Sequence, residues 1–419
     1  MKYYIKKIIN IILGVLSILV PKTSKIIVIG GWFGQRFADN SKAFYLFLVQ
    51  NKSRLGLKKV VFTTRNETIF KVLRDNNLDV VYTNSLISIW YHLRAKFHIV
   101  DEGGIDLNRF CSSDAIRINL WHGFPLKKIG YYCNNDIKNI RDAIAQNKAK
   151  TQYQIGKWND AFYLAFSDTL AKHMQFAFGC NDEKIIIGPY PRHAYILGYI
   201  KKMYLPNEKA AIQSILEAKK QGQYIVMYLP TFRDSITFND ICAKTPLLMK
   251  SFLKKNNIYL VTKFHFAASQ SNVSYARAKD VIINLPKESD IYNFLDISDM
   301  LITDYSSVFF DYILLNKPVL FYCFDYEYYL NKDRGFLYDY VKMTPGRKVK
   351  SINELKNSIL NIKNAKYDYI INVNSQLEQV KNIVYGTSPI YPNEDNMYKL
   401  YECILDVTST SAKMAINNT

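Results

Sequence analysis

Short apolar runs alternate with longer helical patterns along almost the whole chain, and this alternation restricts the fold more than any other property of the sequence. Lys25–Gly31, Lys58–Thr63, Val80–Thr83, Phe97–Val100 and Ile116–Leu120 read as buried strands, with helical stretches at Ser41–Asn51, Glu67–Asp75 and Leu86–Ala95 between them. A second series runs through Tyr224–Leu229, Tyr259–Thr262, Val281–Leu285, Met300–Thr303 and Pro318–Tyr322, with helical patterns at Pro246–Lys255 and Val308–Leu315. Parallel neighbours are joined by crossovers that lay helices on the sheet faces, so each series predicts a parallel sheet wrapped by helices. A chain of 419 residues also exceeds the roughly 250 to 300 at which one core stops growing. The expected organisation is an apolar, basic helix over 1–21, a doubly wound α/β domain over 22–204, a second over 205–390, and a helix and tail over 391–419.

Composition narrows the partners. With 49% hydrophobic residues the chain can fill both cores, and 55 basic against 36 acidic residues leave a formal charge of +19. Such a balance calls for an anionic partner: nucleic acid, an acidic membrane face or a phosphate-rich substrate. No zinc-finger spacing and no RNA-binding aromatic-glycine signature occurs, so nucleic acid is not an expected partner. The six cysteines are scattered without a Cys-x-x-Cys pair, the usage of a reducing compartment. At the start, Met1-Lys-Tyr-Tyr-Ile-Lys-Lys7 is basic and Ile8–Val20 almost wholly apolar. As a helix that apolar run covers about 20 Å at ~1.5 Å per residue, short of a ~30 Å hydrocarbon core. It reads as an interfacial anchor, with a helix packed on the fold as the alternative; Pro21-Lys-Thr-Ser-Lys25 offers no signal-peptide cleavage site.

The chemistry-bearing residues sit at the ends of the expected strands, where open parallel sheets bind ligands. The strand ending at Thr303 delivers Asp304-Tyr-Ser-Ser307 to the start of an apolar helix. Unpaired backbone N–H groups and two hydroxyls at a helix start suit phosphate oxygens; a plain helix cap is the alternative. Trp121-His122-Gly123 follow the strand ending at Leu120, Pro230-Thr231 the strand ending at Leu229, and His265 the strand ending near Thr262. An imidazole titrating near ~6.5 can take a proton from an alcohol at neutral pH, so His122 and His265 are candidate acid–base groups. Arg192 and Lys263 offer phosphate a planar fork and a point charge. Arg233-Asp234 read as a candidate internal ion pair, and Gly30-Gly-Trp-Phe-Gly34, with Asp39-Asn-Ser-Lys42, as a tight turn lining an acceptor site. No Asp-x-Asp triplet occurs, so the carboxylate pair that often holds a divalent ion under a nucleotide diphosphate is missing, and metal-independent or weakly metal-stimulated chemistry without a cofactor is expected.

Taken in order, Leu120-Trp-His-Gly-Phe-Pro-Leu-Lys-Lys-Ile-Gly130, Gly188-Pro-Tyr-Pro-Arg192, Tyr228-Leu-Pro-Thr-Phe-Arg-Asp234, Thr262-Lys-Phe-His-Phe266, the Asp304–Ser307 segment and Arg334-Gly-Phe-Leu-Tyr-Asp-Tyr340 resemble the CDP-glycerol glycerophosphotransferase family of teichoic-acid and capsule polymer synthesis. The resemblance runs from about Ile26 to about Leu355. It implies the GT-B architecture, in which an acceptor domain and a CDP-donor domain, both Rossmann-like, face each other across a cleft. It also implies transfer of glycerol phosphate, or ribitol phosphate, from a CDP donor to a polymer or lipid-linked acceptor with release of CMP, at the cytoplasmic face of the membrane. By resemblance His122 is the base and His265 contacts the pyrophosphate or leaving phosphate, the reverse assignment remaining open. Trp121, Gly123, Pro125, Arg192, Pro230, Thr231, Lys263, Ser306, Ser307 and Asp311 fall at donor-binding positions, Asp311 having an ordinary helix-dipole role as its alternative. Phe124 stands where Thr is usual, His193-Ala194 where Asn-Asp is usual, Lys263 where Arg is usual, and Arg347 ends a motif that usually closes on Pro. A nucleotide-sugar glycosyltransferase and a non-catalytic membrane-surface module remain the rival readings.

Overall fold

A computed structural model of the chain describes residues 2–103, 106–112, 114–133, 137–138, 161–233, 235–264, 275–332 and 335–407. It divides into two compact units, one made of Met1–His122, Asn134–Lys202 and Ser388–Thr419, the other of Gly123–Cys133 and Met203–Thr387.

The first unit is built on strands β1 (Thr23–Ile29), β2 (Lys59–Thr64), β3 (Val80–Tyr82), β4 (Ala95–Val100), β5 (Ile116–Asn119), β6 (Phe162–Ala165) and β7 (Ile185–Ile187). They pair in parallel in the order β3-β2-β1-β4-β5-β6-β7. Ile27, Val28, Val60, Val61, Phe97 and Ile99 are fully buried, the continuous apolar run of strands covered on both faces. Strands β6 and β7 were not among the runs expected, being only four and three residues long. Around the sheet lie α1 (Lys2–Leu19), α2 (Asp39–Gln50), α3 (Glu67–Asp75), α4 (Leu86–Arg94), α5 (Asp168–Phe178) and α6 (Pro191–Ile196). Three of these begin where the sequence supplies a cap: the side chains of Asn66, Ser85 and Ser167 accept from the N–H groups of Ile69, Ser88 and Leu170.

Helix α1 is seated by few contacts. Leu13 packs with Leu93 and Cys111, and Ser17 Oγ donates to the Cys111 carbonyl at 2.7 Å. Ile8, Ile11, Ile12, Val15, Ile18 and Leu19 stay exposed. Among the described residues no helix is long and apolar enough to cross a membrane.

In the second unit, α7 (Pro206–Lys220) leads into β8 (Tyr224–Leu229), followed by α8 (Ile236–Leu248), α9 (Lys250–Lys255), β9 (Ile258–Thr262), β10 (Ile282–Asn284), β11 (Met300–Thr303), α10 (Val308–Tyr312), β12 (Val319–Tyr322) and β13 (Lys348–Val349). The sheet is again parallel, ordered β10-β9-β8-β11-β12-β13. Val226, Leu253, Ile258, Met300, Leu320 and Ile359 form its core. The helical pattern expected from Pro246 to Lys255 is divided at Met249, which ends α8 and starts α9.

Both sheets reverse their direction of winding once, between β1 and β4 in the first and between β8 and β11 in the second. At such a point the loops leaving two neighbouring strands part to opposite faces and open a crevice. The division of the chain is less simple than a single boundary near residue 204. Residues 123–133 join the second unit, where Leu337 N–H donates to the Leu126 carbonyl at 3.0 Å and the Phe124 ring packs on Phe310 and Tyr338, at 5.0 and 5.8 Å. The helix Glu394–Asp406 joins the first, its Tyr398 ring edge-on to Phe47 at 5.2 Å. Apolar side chains that need a core draw these segments out of sequence order.

Candidate active site

In the first unit the chain leaves β5 at Asn119 and turns so sharply that Trp121 takes a left-handed φ of 56°. A bulky residue holds that conformation only where its surroundings fix it. Here Trp121 N–H donates to Asn119 Oδ1 at 2.8 Å, and Asn40 Nδ2, at the start of α2, donates to the Trp121 carbonyl at 2.8 Å. The guanidinium of Arg192 donates to the His122 carbonyl at 2.6 Å and to Asp39 Oδ1 at 2.8 Å. The His122 ring is thereby held beside Trp121, centroid to centroid 4.0 Å, with Trp32 at 5.7 Å.

Arg192 thus has a different occupation from the phosphate contact expected of it. It is 1% exposed, paired with Asp39, and its own N–H donates to Asn40 Oδ1 at 3.0 Å. The Gly30–Gly34 turn and Asp39–Lys42, expected to line an acceptor site, lie at the same end of the sheet. Trp32, Phe33 and Asp39 have φ of 47°, 60° and 64°, a concentration of left-handed non-glycine residues around the winding reversal.

The loop after β4 supplies a cluster of acids that sequence reasoning missed. Asp101 and Asp106 are fully buried, and Glu102 Oε1 lies 3.3 Å from His122 Nδ1. Asp106 Oδ1 accepts from Phe33 N–H at 2.7 Å, while Oδ2 accepts from the N–H groups of Asp101, Glu102 and Gly103 at 3.2, 2.9 and 3.3 Å. Burial, with the charge of Glu102, pushes the Asp106 carboxyl up to about 7 against those bonds. Burial and the neighbouring Asp39 likewise hold the Asp101 carboxyl well above the usual range. The rule of strand ends applied to β4 would have pointed to Asp101-Glu102, but two acids after a strand carry no motif of their own.

In the second unit the winding reversal brings together Pro230 and Thr231, leaving β8, and Asp304–Ser307, leaving β11. The Asp304 carboxylate accepts from Thr231 N–H at 2.8 Å and from Tyr305 N–H at 2.6 Å. Arg233, fully buried, pairs with Asp304 at 2.5 Å and forks onto Asp325 at 2.9 and 3.0 Å, which also accepts from Tyr305 Oη at 2.9 Å. Burial works against the charge of Arg233, and the two carboxylates more than offset it, holding its pKa above the ordinary value. The ion pair expected of Arg233 is therefore made with Asp304 and Asp325; Asp234 lies outside the described residues.

Ser306 and Ser307 are half-buried at the start of α10. Ser307 makes no side-chain cap, and Ser306 Oγ takes only a long 3.4 Å bond from Val308 N–H. The helix expected over Val308–Leu315 is α-helical only to Tyr312 and tightens into a 3₁₀ turn ended by Asn316 at φ 51°. So short a helix has little macrodipole, and the local N–H groups and hydroxyls carry what attraction the turn has for an anion. The Oγ1 of Thr231 is buried without a hydrogen-bond partner. Lys263 is buried at the end of β9, its N–H donating to the Tyr228 carbonyl at 3.3 Å. Asp311 is buried and accepts from Tyr292 Oη at 2.9 Å. Gly123 and Pro125 are buried with the second unit, whereas Trp121 and His122 belong to the first. His265 and Arg334 lie outside the described residues. Among the described residues no group of three or more His, Cys, Asp or Glu side chains is placed to hold a metal ion.

Two doubly wound parallel sheets, each gathering polar side chains where its winding reverses, define an α/β protein of the nucleotide-handling kind. Comparison with known proteins gives the family. Residues 13–384 match the model of the CDP-glycerol:poly(glycerophosphate) glycerophosphotransferases, and the chain belongs to that family. It is an enzyme, a transferase of glycerophosphate from CDP-glycerol to a polymer acceptor. The chain is 28% identical over 380 residues to a teichoic acid poly(glycerol phosphate) polymerase of Bacillus spizizenii, covering 88% of this chain and 91% of that protein. It is 26% identical over 371 residues to a teichoic acid ribitol-phosphate primase of the same organism, covering 86% and 89%. The solved structure of the wall teichoic acid polymerase TagF matches in fold with a TM-score of 0.67 at 18% identity, covering 93% of this chain and 90% of that one. The fold class expected from the sequence, paired Rossmann-like halves of GT-B type, is the one found.

Proposed function

We propose that this chain moves glycerol phosphate from CDP-glycerol to a hydroxyl of a polymer or lipid-linked acceptor, with His122 as the general base and the β8 and β11 loops as the donor-phosphate seat. The acceptor oxygen attacks the glycerol-bearing phosphorus, His122 takes its proton, and the bond to the CMP oxygen breaks so that CMP leaves with the electron pair. Hydroxyls of Thr231, Ser306 and Ser307, the N–H groups of the turn and the Lys263 ammonium hold the phosphate oxygens. Arg192 acts one step back by holding the His122 carbonyl and Asp39. In this reading Asp311, joined to Tyr292 by a hydrogen bond, contacts the polyol or ribose hydroxyls.

The observation that carries this reading is the coincidence of motif and topology: Thr231 and Ser306-Ser307 leave the two strands, β8 and β11, between which the second sheet reverses. Purified protein is given CDP-glycerol and an acceptor, and CMP release is measured. His122→Ala is expected to lower it at least about 10³-fold with an unchanged circular dichroism spectrum; wild-type turnover in that variant sinks the assignment. A ribitol donor is the second reading, favoured by the similar coverage of the ribitol-phosphate primase. Faster CMP release from CDP-ribitol than from CDP-glycerol would establish it.

Peripheral attachment to an acidic membrane face belongs to the same proposal. It is supported by the exposed Ile8, Ile11, Ile12, Val15 and Ile18 of α1, a sequence start carrying Lys2, Lys6 and Lys7, and a formal charge of +19.

A further inference from the structure

His122 does not stand alone. Its Nδ1 faces the Glu102 carboxylate at 3.3 Å, and the pair is only partly exposed, with side-chain accessibilities of 29% and 17%. Glu102 is itself anchored on both sides of its peptide: its N–H donates to Asp106 Oδ2 at 2.9 Å, and its carbonyl accepts from Asn119 Nδ2 at 3.2 Å. Asn119 is also the residue whose Oδ1 holds the Trp121 N–H, at 2.8 Å. One side chain therefore ties the loop bearing the carboxylate to the loop bearing the imidazole. From the other side Arg192 and Asn40 fix the carbonyls of His122 and Trp121. The second ring nitrogen, Nε2, is left as the one able to meet a substrate proton. In the neutral ring this requires the tautomer with hydrogen on Nδ1; the Glu102 carboxylate lies at ion-pair distance from Nδ1 without making a hydrogen bond to it, and its negative charge there favours hydrogen on that nitrogen.

We infer that Glu102 is a positioning residue for the transfer reaction, orienting His122 and stabilising the imidazolium formed when Nε2 takes the acceptor's proton. The inference rests on His122 being the base. Charged and titratable groups of the surrounding elements are Asp39 and Arg192 at the starts of α2 and α6, Asp101 and Asp106 in the β4 loop, and Arg36, whose guanidinium lies 4.9 Å from the Trp32 ring centroid. Arg192 is paired with Asp39, and Asp106 is turned onto four backbone N–H groups. Glu102 is the carboxylate that addresses the ring.

The test compares wild type, Glu102→Gln, Glu102→Asp and His122→Ala across pH with CDP-glycerol and acceptor, folding being checked by urea midpoint. Glu102→Gln is expected to lower kcat about 10²-fold while changing KM for CDP-glycerol by less than about threefold. Its acid limb in the kcat–pH profile is expected to move to lower pH, because a nearby negative charge raises an imidazole's proton affinity. Glu102→Asp is expected to recover part of the rate and of the limb. A Glu102→Gln enzyme whose acid limb does not move, whatever its rate, overturns the inference, since a merely structural role costs rate without changing the base's affinity for its proton. An active His122→Ala enzyme instead overturns the reading beneath it, so the two failures are distinguishable.

Discussion

At the scale of single residues, two of the cations of this protein hold the fold. Arg192 and Arg233 are buried and paired, each tying one strand-end loop to another. Removing one member of such a pair strands its partner charge in a low-dielectric interior, so Arg233→Met is expected to cost about 3 to 5 kcal/mol in a urea titration. It is also expected to raise KM for CDP-glycerol, because Asp304 would no longer hold the Thr231 N–H in place; an unchanged urea midpoint would show that the pairing contributes nothing. A second buried set governs acid stability. His92 Nδ1–H donates to the Ser88 carbonyl at 2.7 Å, and Nε2 accepts from Asn108 N–H at 3.2 Å; His98 Nε2–H donates to the His92 carbonyl at 3.0 Å. Burial pushes His92 down to about 4 and His98 well below its ordinary value. As pH falls from about 6.5 toward about 4 the unfolded chain takes up protons that the folded one refuses, so this contribution to stability is full above about 6.5 and shrinks with acidification, by about 2 kcal/mol for His92 at pH 5. Asp106, with its raised pKa, opposes the trend in the same window. The histidine part is isolated by comparing wild type with the His92→Gln/His98→Gln variant: the wild type's advantage at pH 7 is expected to narrow at pH 5, and a constant gap would refute it.

Among elements, the strand ends and two surface helices are where the proposed functions are tested. Hydroxyls of the α10 start have almost no structural duty, so Ser306→Ala/Ser307→Ala is expected to shift the urea midpoint by less than about 0.5 kcal/mol. The same change is expected to raise KM for the CDP donor at least about tenfold; equal effects on both measurements would make the serines ordinary caps. On the first unit, α1 leaves an apolar face uncovered, and the neighbouring α4 exposes Leu86, Ile87 and Trp90. Ile11→Lys/Ile18→Lys is expected to abolish co-sedimentation with anionic vesicles while CMP release to a soluble acceptor stays within about twofold. Binding that survives both substitutions and responds only to salt would assign the attachment to charge alone.

On the scale of the whole molecule, a surplus of positive charge and an anionic donor predict that kcat/KM falls as ionic strength rises from about 20 to about 200 mM, with kcat nearly constant; a salt-independent kcat/KM would remove long-range steering. Most strands were legible in the sequence because a strand buried on both faces must be apolar throughout, a signal that needs no knowledge of neighbours. The β6 and β7 strands escaped because runs so short carry no period. The positions of His122, Thr231, Ser306 and Ser307 just after strands were legible for the same local reason, since each follows an apolar run. By itself, then, the sequence determined two parallel α/β halves and the family. Only the tertiary structure decided that Arg192 serves a carbonyl and Asp39, that Arg233 binds Asp304 and Asp325, that residues 123–133 cross into the other unit, and that Glu102 faces His122. These are pairings between segments far apart in the chain, chosen by which buried charge and which apolar ring find a partner in the packed interior, and no pattern along the backbone encodes them.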